Sequence, residues 1–387
     1  VDVEVPTMLA RGYEMPYSHP KYEDQKGVAF SIFHHQIDAS EATILADYRR
    51  KGIEPLLHYF PSAMYNHEPL MGIPFPRMVD ARLRSLIKLG VNRVNAFGGL
   101  VNTEKTPYWP IPDVIRSIQF TPELTVDEVL LRSAKKWVGD SRANELVGLW
   151  TDFEEALIYQ PYVPHYCCLG FIWQRTWDRP FVPDIEAIPV EERRYYEKFA
   201  CVQYNNPALN DFGRDVLFEL ISNENAWKYL KAFDEEMFPR LRKVMEQARE
   251  SAKSDGEGAE VFVDLYDRMA AYECWATAVR NVCAWVGTVY TYLESEDESE
   301  KSRMEVFLQK SIDLELANTR KLLKLWNTSS TEFMVISGVA ENGFIYGENF
   351  GELLERKIEL TEKYRNKAPR IDKDVLWRIE PNRQLWD

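Results

Sequence analysis

Two short apolar segments near the N-terminus constrain the fold more than anything else in the chain: residues 53–60 (IEPLLHYF) and residues 91–99 (VNRVNAFGG). Each follows an amphipathic helical stretch that stops at a glycine, Gly52 in one case and Gly90 in the other. Each then runs into a loop crowded with aromatic and polar side chains. Helix, glycine stop, buried strand and loop is the repeating unit of a (β/α) barrel, whose functional side chains gather at the C-terminal ends of the strands. An alternation of Val1, Val3 and Val5 adds a third strand, which feeds the polar, proline-rich loop 10–20. A closed eight-stranded barrel takes roughly 200–250 residues, and the strand–helix rhythm here covers about half of that. The expectation is therefore α/β followed by all-α: the last strands of a (β/α)8 barrel and then a large helical domain. On this hypothesis strands six to eight lie here, and a preceding segment or a second chain supplies the missing N-terminal barrel segment. Strands that all found their partners within this chain would count against it.

The pass along the chain divides it into barrel units over 1–120, a helical domain with an aromatic loop over 121–255, and a long-helix bundle with a C-terminal helix over 256–387. Residues 27–51 read as one helix, with 28–33 readable as a strand instead. Loops are expected over 61–76 and 98–112. Thr125 is a plausible cap for a helix with an acidic first turn, Asp127 and Glu128. Another helix is expected over 141–158, and the aromatic, proline-rich stretch 160–189 reads as a loop wrapped over another surface. Helices near 190, 211 and 223 follow, the last kinked at Pro239. Two long helices are expected over 259–293 and 300–325. Phe262, Leu265, Met269, Tyr272, Ala276 and Val279 recur there at helical spacing, the mark of a bundle core.

Composition narrows the function. The 387 residues carry a formal charge of −14, the wrong sign for neutralising nucleic-acid phosphates or for polybasic attachment to a membrane. No apolar run approaches the roughly 18–20 residues that span a bilayer, and no signal peptide is read at the start. Five scattered cysteines do not form a disulfide framework, and cytoplasm is favoured. Cys274 and Cys283 read as buried free thiols. Cys167 and Cys168 beside His165 lack zinc-ligand spacing. Aromatic residues make up 13% of the chain, many of them in loops beside Pro, Asn and His. Rings among polar groups suit the C–H faces of sugars, and ordinary loop packing accounts for them equally well.

No nucleotide fingerprint, phosphate loop, Gly-x-Ser-x-Gly elbow or His-Glu-x-x-His stands in the sequence, and no cofactor or metal is expected. The alternatives are a metal-dependent barrel hydrolase using His34, His35, His58 or His67, and a non-catalytic carbohydrate-binding or helical interaction protein. What remains is carboxylates, histidines, amides and rings in loops at strand ends. Glycosidic cleavage uses that set: one carboxyl group protonates the leaving oxygen while another attacks or activates water. Glu14 is the first candidate acid and Glu104 the second, with Glu68 behind them. Arg11, Tyr13, His19, His58, Asn95, Asn102 and Trp109 are the candidate substrate-binding residues. His58 and Asn95 fall at strand ends, where a polar side chain needs a partner or a ligand. A core histidine bonded to a backbone carbonyl is the alternative for His58. The acids Asp152, Glu154 and Glu155 read as a solvated helix face. The pair His34 and Asp38 offers two metal ligands without a third.

The order of these parts resembles large TIM-barrel glycoside hydrolases, in pattern the α-glucuronidase-like and β-hexosaminidase-like enzymes with helical C-terminal domains. The resemblance rests on Leu57-His58-Tyr59-Phe60, on Asn95-Ala96-Phe97-Gly98-Gly99, and on Pro122-Glu123-Leu124-Thr125-Val126-Asp127-Glu128 leading to Trp137-Val138-Gly139. It covers about residues 50–160 and implies an oligosaccharide or glycoside substrate. It also implies a helical region that buttresses the barrel and offers a surface for a homo-oligomer. Such families carry their acid pair on middle strands, so no catalytic acid is carried over to a numbered position here.

Overall fold

The computed structural model describes residues 3–5, 13–16, 26–29, 39–59, 70–96, 105–161, 177–192, 223–334, 346 and 349–370. Five short strands open the chain: β1 (Val3–Val5), β2 (Tyr13–Pro16), β3 (Lys26–Ala29), β4 (Pro55–Tyr59) and β5 (Val94–Ala96). Helices α1 (Ala39–Arg50), α2 (Pro76–Lys88) and α3 (Ile111–Phe120) alternate with the later strands. Helices α4 (Val126–Ile158), α5 (Asn223–Ala232), α6 (Phe238–Ala252), α7 (Ala259–Glu294), α8 (Glu298–Thr328) and α9 (Phe350–Tyr364) follow among the described residues.

The barrel expectation is overturned. The protein is predominantly helical, and among the described residues its parallel strands form one three-stranded sheet in the order β1-β4-β5. Strands β2 and β3 pair with each other as an antiparallel hairpin. A barrel closes only when strand number, tilt and stagger agree around a full ring. Three strands of three, five and three residues do not close one. Each described strand has a partner within this chain. The likeness to barrel glycoside hydrolases falls with the barrel.

Several local expectations stand. The glycine stops are real: Gly52 and Gly90 have φ of 73° and 74°, the left-handed geometry that ends a helix. Arg49 ties the two helix exits together, its guanidinium donating to the Leu89 carbonyl at 2.9 Å. Thr125 caps α4 in a full capping box. Its hydroxyl accepts from the Glu128 N–H at 3.3 Å, and the Glu128 carboxylate accepts from the Thr125 N–H at 2.8 Å. Helix α4 breaks at Gly139, so its two halves match the expected pair of helices.

Other boundaries moved. Residues 26–29 are a strand and the helix starts only at Ala39, because a partner strand at 13–16 captured the segment. Residues 111–120 form α3, with prolines flanking its first position, where a missing N–H costs nothing. Pro239 produces a π-turn over Phe233–Met237 rather than a simple kink.

The core lies in the helices. Residues Phe262, Leu265, Met269, Tyr272, Ala276 and Val279 are all buried on α7, which is wrapped by α5, α6 and α8 and also touches α4. Burying each large side chain of this kind is worth roughly 1.5–3 kcal/mol. The segment around Trp177 to Ile188 lies across this body: the Trp285 indole donates to the Val182 carbonyl at 3.0 Å, and the Phe181 N–H donates to the Thr361 hydroxyl at 3.0 Å. Cys274 and Cys283 are buried free thiols, and burial pushes the Cys274 thiol up to about 12. Among the described residues no helix is long and apolar enough to cross a membrane.

Candidate functional site

The parallel register brings two of the expected residues together. Leu57 stands opposite Val94, His58 opposite Asn95 and Tyr59 opposite Ala96. His58 and Asn95 are thus direct neighbours on adjacent strands, at the C-terminal end of the sheet. That edge is where open parallel sheets present their ligand sites. The β2–β3 hairpin follows β1 after seven residues in sequence. Its register sets Tyr13 opposite Ala29 and Glu14 opposite Val28. Arg11, His19, Asn102 and Glu104, and with them Glu68, His34, His67 and Cys167, lie outside the described residues.

Trp109 has a different place. Its ring is buried in the main core and its indole N–H donates to the Ile73 carbonyl at 2.9 Å. A buried indole with its polar atom satisfied is a packing unit, tying the end of the 98–110 stretch to the start of α2.

The loops that leave β4 and β5 return to one buried side chain, Arg268 on α7, which is 2% exposed. Its guanidinium donates to the Met71 carbonyl at 2.8 Å, the Lys105 carbonyl at 2.8 Å and the Glu332 carbonyl at 3.1 Å. It also makes a bidentate pair with Asp264 at 2.8 and 2.9 Å. Nearly the whole donor fork of the arginine is therefore used. Leu70 bridges to Met334, so the residues after α8 join the same junction. Gly72 leaves room for it: a Cβ there would stand 2.7 Å from the guanidinium.

Beside this clasp lies a cleft of about 360 Å³, lined by Lys105, Tyr108, Glu260, Asp264, Thr331 and Glu332 among others. Lys105 pairs with Glu332 across it. Burial, together with the charges of Glu260 and Asp264, raises the Tyr108 phenol above its ordinary value. Burial likewise raises the carboxyl of nearby Asp267, which accepts from the Ser329 hydroxyl at 2.5 Å. Edge-on contacts from Tyr108 to Trp137 (6.0 Å) and from Trp137 to Trp150 (5.7 Å) connect the cleft to the core.

Glu154 departs from the solvated helix face expected for it. Glu154 is 3% exposed, and its carboxylate accepts from the backbone N–H of Arg77 at 3.0 Å and of Met78 at 2.6 Å. It caps α2 from another helix. Burial lifts its carboxyl to about 7 against the pull of those two N–H groups and of the Arg77 charge. Arg77 reaches in turn to the Thr151 hydroxyl at 3.1 Å and to Asp127 at 2.6 Å. The signal that could have found it is negative: α2 starts after Phe75, which has no capping side chain, so its first N–H groups need an acceptor from elsewhere.

Among the described residues no group of three or more His, Cys, Asp or Glu side chains is arranged to hold a metal ion. No family model, no curated protein and no solved structure matches the chain.

Proposed function

We propose that this chain binds a carbohydrate at the C-terminal edge of its parallel sheet and cleaves a glycosidic bond there by carboxylate acid–base chemistry. The observation that carries the reading is the register pairing of His58 with Asn95 at that edge. The pairing sets a histidine and an asparagine at facing register positions, and an imidazole and an amide offer both donors and acceptors to vicinal hydroxyls. Glu14, on the hairpin that follows β1, acts as the first acid. Glu104 immediately precedes Lys105, whose carbonyl Arg268 grips, and acts as the second. Arg11, Tyr13, His19 and Asn102 complete the binding set. One carboxyl group protonates the leaving oxygen, and the other attacks the anomeric carbon or activates water. A separation of about 5 Å would retain the anomeric configuration, and about 6.5–9.5 Å would invert it.

The test is hydrolysis of a panel of aryl glycosides by the full chain, alongside Glu14→Gln and Glu104→Gln. Loss of turnover in either variant, with sugar affinity kept, supports the assignment. Sugar binding without turnover in the wild-type protein would reduce the reading to a carbohydrate-binding protein. No binding to any sugar of the panel would remove it.

A further inference from the structure

A second groove, between α3 and α4, carries a chemistry that the sheet edge does not. It measures about 480 Å³, within the ordinary range for small-molecule sites. Phe120, at the end of α3, forms one wall and is 77% exposed, the most exposed large hydrophobic side chain among the described residues. Leu124 and Val129 make the floor apolar.

The charge around it is positive, in a chain whose formal charge is −14. Asp113 is the one carboxylate among the lining residues, and it is already engaged. It accepts from Arg116 at 2.8 Å and from the Ser133 hydroxyl at 2.7 Å. That leaves Arg132 and Lys136, exposed and one turn apart on α4, and neither is in an ion pair with a described residue. Four positions away along α4 stand Glu128, which the Thr125 N–H and hydroxyl hold in the capping box although its charge also feels Arg132, and Asp140, which pairs with Lys135 at 2.7 Å. The Ser117 and Thr121 hydroxyls, 3.2 Å apart, add a polar pair on the wall formed by α3.

We propose that this groove binds a small organic anion, its flat ring against Phe120 and its carboxylate between Arg132 and Lys136. An aryl carboxylate matches both features at once, since an apolar face meets the ring and floor while the charge meets the two cations. The site is independent of the glycosidase reading, because it shares no residue with the sheet edge.

The experiment is calorimetric titration of the full chain with 2-naphthoate, with 2-naphthalenemethanol and inorganic phosphate as controls. Saturable binding of naphthoate is expected, with the alcohol and phosphate each about tenfold weaker or worse. The Phe120→Ala variant and the Arg132→Gln/Lys136→Gln double variant should each weaken naphthoate about tenfold, and the double variant should also remove its salt dependence. All three positions are exposed, so the variants should keep the wild-type circular dichroism. No heat up to about 5 mM naphthoate overturns the proposal. So does equal affinity in wild type and both variants, or phosphate binding as tightly as naphthoate.

Discussion

The guanidinium of Arg268 stands 2.7 Å from the point where a Cβ on Gly72 would sit, so one buried cation dictates a glycine 196 positions away in sequence. Gly72 also has a φ of 71°. Gly72→Ala is therefore expected to cost about 1–3 kcal/mol through strain and displacement of the clasp. Arg268→Ala is expected to cost more, about 3–5 kcal/mol, since it strands the Asp264 carboxylate and three backbone carbonyls. Chemical denaturation of both variants measures this. A ranking with Gly72→Ala the more damaging would show that the backbone, not the arginine, holds the junction.

Glu154 makes stability depend on pH. Its folded carboxyl is lifted from 4.5 to about 7, so between those values the folded state holds a proton that the unfolded state has lost. The contribution is complete below the unfolded value and is lost as pH rises through the folded one, to a total of roughly 3 kcal/mol. Glu154→Gln removes the titration. The stability difference, wild type minus variant, is expected to fall between about pH 5 and pH 7.5. A flat difference across that range would sink the assignment.

Lys357 and Glu315 form an ion pair in which each side chain is only 2% exposed, with Asn281 donating to the same carboxylate at 2.8 Å. Removing one partner leaves a buried charge. Lys357→Met is expected to cost about 3–5 kcal/mol and Glu315→Leu a comparable amount, with the double variant much less than their sum. Additive losses in a thermal denaturation cycle would mean that the two groups do not act as a pair.

The proposed sugar site has its own coupling test. His58 and Asn95 are register neighbours, so each alanine substitution is expected to weaken sugar affinity about tenfold, and the double substitution by less than the product. Strict multiplicativity in titrations of a bound glycoside would indicate that the two side chains do not share a ligand.

Much of the local structure was legible in the sequence. The period of Phe262, Leu265, Met269, Tyr272, Ala276 and Val279 identified a core helix, Thr125 and Glu128 announced a capped start, and Gly52 and Gly90 marked two helix ends. These are effects of side chains on their own backbone or on neighbours one turn away, so the local order of residues suffices. The pairing of His58 with Asn95 was half legible: both strand ends could be located, but their register could not.

The tertiary structure decided the rest. A run of apolar residues states that a strand wants burial, not how many strands join it, and so a three-stranded sheet was open to being read as part of a barrel. The 26–29 strand depends on a partner ten or more residues upstream. Glu154 meets its N–H donors across 76 and 77 residues, and Trp109 its acceptor across 36. Charge and polarity alone mark such groups as solvated or as ligand-binding. Whether a carboxylate faces water or the start of another helix depends on which elements pack together, and packing is a property of the whole chain.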